Sequence, residues 1–316
     1  MDSIRDNYKR WFLSGFLCII LALLATLPLY SSTYWVVKLI NIIMYVILAV
    51  SWAIFSGPTG YISLASSAFF GVGVYAMAVL GKEFPLPLVI IFGGLLSSCL
   101  ALLVGALTLR LKGIYFAMFT FGLVLLIKQL LLYWEFNITR TRGRFIVLES
   151  NNTIYYYILA IFVALVITAY FIRRSKYGLA LKSIGEFEEA AAHTGINVVM
   201  VKVMTFAISA FFAGAVGAIM ATKWTYIDPY VAFDPFRSFM PVLMAIFGGM
   251  GQLYGPVIGA GIFAYLAEVL QTKFQYYYML IFGIILVVSI IYLPSGLVGL
   301  VQNLWRRVSG VRRAHT

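Results

Sequence analysis

The chain has 316 residues, of which 63% are hydrophobic and only 11% charged. A soluble domain carries about 25% charged residues, so a water-soluble enzyme is excluded. The formal charge is +12, but the Lys and Arg residues are scattered through loops and tails without interleaved aromatics, which excludes a nucleic-acid surface.

Mean hydropathy is +0.97. Continuous apolar runs recur along the chain at about 20 residues, the length a helix needs to cross roughly 30 Å of hydrocarbon. They show no alternation at period two, so a transmembrane barrel is excluded. The expected fold is all-α, a polytopic integral membrane protein with about ten transmembrane helices.

In chain order, residues 1–10 form a polar tail with Arg5, Lys9 and Arg10, expected in the cytoplasm. The run 11–30 is read as a first span rather than a cleaved leader, because it is long for a signal core and no A-x-A site follows. A second span covers 36–55, with Lys38 expected to snorkel outward. Gly57-Pro58-Thr59-Gly60 should break the helix, with Ser63, Ser66 and Ser67 supplying hydroxyls to freed backbone groups. A third span then runs to Leu80. Spans four and five are 88–109 and 114–134, the latter with Lys128 near its far end. A loop at 135–152 carries Arg140, Arg142 and Arg144, and a sixth span covers 154–172.

The polar island 173–202 follows. Its charges cannot cross lipid cheaply, so it must stand in water between spans. Span seven, 201–221, offers a small-residue packing face at Ala213-Gly214-Ala215 and Gly217-Ala218. After a loop at 222–237, the short run 238–247 is broken at Gly248-Gly249-Met250-Gly251, and spans at 254–271 and 276–293 follow. A basic tail at 301–316, with Arg306, Arg307, Arg312 and Arg313, is expected in the cytoplasm, and the membrane domain covers 11–300. Cys18 and Cys99 lie in apolar runs with no partner motif, and His193 and His315 are too isolated for a metal site.

Alternating the spans from a cytoplasmic N-terminus puts 1–10, 110–113, 173–202 and 306–313 on one side, with 14 of the 23 Lys and Arg residues. That is the bias of cytoplasmic loops, and the Arg-rich loop at 140–144 is its exception. The two glycine breaks echo each other, Gly57-x-x-Gly60 before Gly71-x-Gly73 and Gly248-x-x-Gly251 before Gly259-x-Gly261. Broken segments in both halves can mark a midplane pathway, which would place Gly57, Gly60, Ser63, Ser66, Ser67, Gly248, Gly249 and Gly251 beside it. The alternative is that glycine is simply common in membrane helices.

No G-x-x-x-x-G-K-[ST] occurs, so energy must come from an ion gradient or a partner. Carboxylates inside the spans are nearly absent. Glu268, near the end of its run, is expected to reach the interface rather than carry protons. Residues 188–192 favour helix, with Gly195 as terminator. Glu186, Glu188 and Glu189 suit the start of a helix, and Ala190 to Ala192 leave a smooth face. On these grounds the island holds either a docking helix or an ordinary solvated loop helix.

The island resembles the EAA loop of binding-protein-dependent ABC importer permeases, where E-A-A-x-x-x-G forms a coupling helix held by the ATPase. Glu189, Ala190, Ala191 and Gly195 match it position for position. The wider chain is similar to the branched-chain amino acid permease family, in its LivM-like branch. The matching stretches are 60–64, 68–73, 109–118, 184–197, 211–214, 247–251, 255–260 and 293–297. It departs from that family at Ala65-Ser66-Ser67 and at the Arg-rich loop Thr139 to Arg144. The resemblance implies a translocation path for branched-chain or other hydrophobic amino acids in the cell membrane. It implies a second permease subunit, two ATPase subunits and an extracytoplasmic solute-binding protein. ATP and Mg would sit on the ATPase subunits, with no cofactor on this chain. The 186–195 helix would be the ATPase contact. A same-family permease for urea or short amides, and an ion-coupled secondary carrier, are the alternatives.

Overall fold

The computed structural model describes residues 23–300 except 110, 112, 253, 275, 278, 279, 282, 286 and 288–295. The expected terminal tails, most of the span at 11–30, much of that at 276–293, Cys18 and His315 lie outside the described residues.

Helix α1 (Thr33–Thr59) leads to a non-helical segment at 60–65 and to α2 (Ser66–Leu80). Helix α3 (Leu86–Thr108) starts on Pro85 and Pro87, where a missing N–H costs nothing. Helix α4 (Ile114–Trp134) ends in a π turn, Glu135–Thr139. Strand β1 (Arg144–Phe145) follows. Helix α5 (Asn151–Arg174) is capped by Ser150, whose hydroxyl accepts from Thr153 N. Two short helices, α6 (Lys176–Glu186) and α7 (Glu188–His193), fill the polar island. Helix α8 (Val198–Ala221) is capped by Asn197. Strand β2 (Tyr226–Ile227), α9 (Pro229–Ala232), α10 (Phe236–Gly248) and α11 (Tyr254–Lys273) complete the elements.

Among the described residues, six helical stretches are long and apolar enough to cross a membrane: α1, α3, α4 with its π turn, α5, α8 and the run 229–248. The centre is α8, packed against α2 and α3. Its most apolar window is 78% buried, whereas that of α4 is 22% buried, so α4 lies at the periphery. The small-residue stripe of α8 works as its sequence suggests, with every residue from Ala213 to Ala218 buried. A Cβ on Gly73 of α2 would collide with the Gly214 carbonyl, so the two backbones touch there. Strands β1 and β2 form an antiparallel ribbon, Arg144 opposite Ile227, at the end of the bundle away from α6 and α7.

Three expectations are corrected. Gly57-Pro58 does not break α1, which continues to Thr59 and ends at Gly60 in the left-handed region, φ 72°. Pro58 removes only the N–H that would meet Ile54, one residue before the end. The Thr59 hydroxyl then bonds the Phe55 carbonyl at 2.6 Å, and Gly60 N bonds Ser56 O. Lys38 does not snorkel outward; it is 5% exposed, with its ammonium 4.3 Å from the Tyr265 ring centroid and 5.3 Å from that of Trp35. The aromatic faces replace water around the charge. Glu268 does not turn wholly to the interface; its Oε2 is buried and has no hydrogen-bond partner.

Segment 60–65 is irregular backbone among buried helices, and its polar groups are met by side chains. Trp52 Nε1 donates to Ser63 O at 2.7 Å, Leu64 N donates to Thr120 Oγ1 at 2.9 Å, and Ala65 N donates to Ser63 Oγ at 3.3 Å. Each such group left unpaired would cost about 1–3 kcal/mol. Non-helical backbone survives in a membrane protein only where protein replaces water in this way.

Candidate functional site

The polar island is built on the ends of four spans. Ser175 turns the chain out of α5 and caps α6, its hydroxyl accepting from Gly178 N. Helix α6 then lies across the end of α1; a Cβ on Gly185 would strike the Pro58 carbonyl, so backbone meets backbone. Phe187 is extended at φ −157° and separates α6 from α7. The expected single helix at 186–195 is therefore two, because one extended residue interrupts the hydrogen-bond ladder. Glu186 closes α6, where it stands 3.8 Å from Lys182 with both side chains largely in water. Such a pair contributes little.

Helix α7 carries the matched motif. Ala191 is 3% exposed and packs with Ile184 and Val198 in a small apolar cluster. Glu189, Ala190, Ala192 and His193 are exposed. Gly195, at φ +86°, ends the turn in a conformation other residues resist, and Ile196 N returns to the Ala191 carbonyl. A smooth face of small side chains is thus held outward, with buried Ala191 as its apolar anchor.

Glu188 points the other way. Its Oε1 is 2.8 Å from the ammonium of Lys202, which is 1% exposed. Lys202 also donates to Tyr61 Oη at 3.2 Å and to the Leu109 carbonyl at 3.1 Å. An ammonium has three N–H groups, and each has an acceptor here. Tyr61 Oη in turn donates to Glu188 Oε2 at 2.7 Å, closing a ring of Lys, Glu and Tyr. Burial, together with the Glu188 carboxylate, pushes the Tyr61 phenol above its ordinary value, so it remains a donor. This knot ties α7, the first turns of α8, segment 60–65 and the end of α3. Sequence reading placed Glu188 among outward contacts and did not single out Lys202 or Tyr61. The available signal was a lysine inside the apolar run that begins at Val198.

The pathway residues divide. Gly57, Met250 and Gly251 line one cavity of about 390 Å³ with Pro58, Arg173 and Glu186, and Arg173 donates to the Gly251 carbonyl at 2.8 Å. The two glycine breaks therefore meet beside the polar island. Gly248 packs against Gly255, and Gly249, at φ 99°, caps α10. Gly60 is exposed, whereas Ser63, Ser66 and Ser67 are buried deeper. Ser67 Oγ donates to Asp234 O at 2.7 Å, and its N–H donates to Ser238 Oγ at 3.3 Å. Ser238 and Gly248 are separated by most of α10, about 15 Å at 1.5 Å per residue. Ser67 and the second glycine break thus lie at different depths.

Spanning helices, a protein-lined irregular segment and a polar loop docked on the helix ends define a multi-pass helical membrane protein. The family model described as "Branched-chain amino acid transport system / permease component" matches residues 36–290. The chain is 26% identical over 303 residues to the high-affinity branched-chain amino acid transport system permease protein LivM of Salmonella typhimurium, covering 84% of this chain and 70% of that one. It is 27% identical over 290 residues to LivM of Escherichia coli K12, covering 80% and 67%. To the LivH permease of Escherichia coli K12 it is 29% identical over 141 residues, 44% of each chain. No solved structure matches it. The chain belongs to the branched-chain amino acid transport permease family.

Proposed function

We propose that this chain is one permease subunit of an ATP-driven importer for branched-chain amino acids, working beside a second permease subunit related to LivH. Two ATPase subunits would grip α7 from the cytoplasm, and a solute-binding protein would deliver the amino acid from outside. The observation that carries this reading is α7 itself. Its Glu189, Ala190 and Ala192 face outward, while Ala191 and Glu188 fix it to the bundle. A short helix of small residues, rigidly backed, suits insertion into a cleft on another protein.

The geometry suggests how a pull would travel. Force on α7 reaches Lys202 at the start of α8 and Tyr61 in segment 60–65 through the buried knot. It reaches the end of α1 through the contact of α6 with Pro58. Segment 60–65 and the Gly248–Gly251 turn are the non-helical parts nearest that loop, so the pathway would open there.

The test is the importer assembled with its ATPase subunits. Glu189→Lys and Ala190→Asp, both at exposed positions, should lose co-purifying ATPase and lower leucine uptake about tenfold or more, as loss of a central contact does. Normal ATPase retention together with normal uptake in both variants would remove the coupling assignment.

A further inference from the structure

At the end of the bundle opposite α6 and α7 lies a second cavity, of about 190 Å³. It sits between the first half of α1, the end of α8, the start of α10 and the last turns of α11. Its lining combines the polar Asn41, Lys223, Arg237 and Glu268 with the apolar Met44, Met220 and Met240. Lys223 Nζ donates to Asn41 Oδ1 at 2.8 Å, and its remaining N–H groups stay available. Glu268 Oε2 is buried without a hydrogen-bond partner. Burial lowers the Lys223 ammonium from its ordinary value while the Glu268 carboxylate raises it, so the charges feel each other. The ion pairs among the described residues, Lys182–Glu186 and Lys202–Glu188, do not include them. The Arg237 guanidinium closes the wall, 5.0 Å from the ring centroids of Phe70 and Trp224 and bonded to the Val231 carbonyl.

We propose that this cavity is a subsite for a zwitterionic amino acid with an apolar side chain. The ammonium group meets the Glu268 carboxylate, the carboxylate meets the Lys223 ammonium, and the side chain lies on the methionines. Opposite charges facing one space without touching suit a ligand that carries both. A lone cation is disfavoured by Lys223 and Arg237, while Glu268 gives the ligand's ammonium its partner, so the lining combines repulsion with attraction. Methionine adapts to differently branched partners. An apolar cavity of about 150 Å³ holds benzene, so about 190 Å³ admits a short amino acid. The proposal rests on the import reading above, which makes this end of the bundle the outer one, where substrate arrives.

The experiment uses the full importer in lipid nanodiscs without its binding protein, following Trp224 fluorescence with Trp224→Phe as the signal control. The probes are L-leucine, isoamylamine, which lacks the carboxylate, and isovalerate, which lacks the ammonium. Leucine should give a saturable change, with each half-probe about tenfold or more weaker, because a site built for a polar group rejects the analogue without it. Glu268→Gln and Lys223→Met should each weaken leucine binding to a similar degree. They should raise the uptake KM in vesicles while co-purifying ATPase is retained. Half-probes that bind as well as leucine, or variants whose uptake KM stays within about twofold of the parent, overturn the subsite. If a variant does not accumulate, the probe series on the unaltered importer decides alone. A parental importer that takes up no leucine refutes the import reading instead, whatever the cavity does.

Discussion

Lys202 shows what one residue does in this molecule. Its ammonium is 1% exposed, and Glu188, Tyr61 and Leu109 supply all of its acceptors. A buried charge stripped of its partner is more damaging than a missing pair. Glu188→Gln should therefore destabilise the protein by about 3 kcal/mol, and Lys202→Met by a comparable amount. The double variant should recover part of that loss, because it leaves neither charge alone. Thermal unfolding of the four proteins in one detergent checks this, and strictly additive losses would show that the pair is not coupled. Tyr61→Phe removes one hydroxyl and should cost about 1 kcal/mol. At this scale the sequence was only partly legible. The Glu189-Ala190-Ala191 motif could be matched directly, although only Glu189 and Ala190 of it face water. Glu188 beside it looked equivalent in one dimension, and only the three-dimensional ring shows that neighbouring glutamates face opposite ways. Lys202 was counted with the polar island because composition cannot tell a solvated charge from a buried one.

Among the elements, segment 60–65 is the most informative. Its existence was readable from Gly60 and the hydroxyl-rich run after it, but its start was placed too early. Proline near a helix end costs less than proline within one, since only the Ile54 carbonyl loses its partner and no further turns have to follow. What fills the segment's hydrogen bonds could not be read at all, because Trp52 and Thr120 come from other helices. Thr120→Val keeps the shape but removes the acceptor of Leu64 N, and should cost about 1–2 kcal/mol of thermal stability. Ser63 is 3% exposed. If this segment moves when ATP is used, Ser63→Cys should resist water-soluble thiol reagents at rest and react during turnover. Equal reactivity with and without ATP would show that the segment does not gate. The division of the polar island into α6 and α7 was likewise hidden. Phe187 has no strong helix-breaking character, and its extended backbone follows from seating α6 on Pro58 and α7 on Ala191 at once.

For the whole molecule, the remaining question is which side each end faces. Apolar run length gave the spanning helices, and parity put the polar island on the basic side. The objection was the loop with Arg140, Arg142 and Arg144, which parity sends outside. Its geometry weakens that objection. Arg142 stands 5.8 Å from the Phe136 ring centroid and Arg144 6.0 Å from that of Trp134. These rings follow an exposed Tyr133 at the end of α4, an arrangement typical of a membrane–water boundary. Glu135, 1% exposed, accepts from Tyr75 Oη at 3.0 Å and Gly143 N at 3.1 Å, pinning the loop down and placing a negative charge beneath it. Arginines held on an aromatic rim over a carboxylate make a smaller local excess than their number suggests. The parity assignment should therefore stand. In sealed right-side-out vesicles, an impermeant thiol reagent should label Arg142→Cys at once. It should reach His193→Cys, on the exposed face of α7, only after the membrane is opened. The reverse order of labelling would invert the molecule. It would put α7 beyond reach of any cytoplasmic ATPase and place the cavity of Lys223 and Glu268 on the wrong side for an incoming solute.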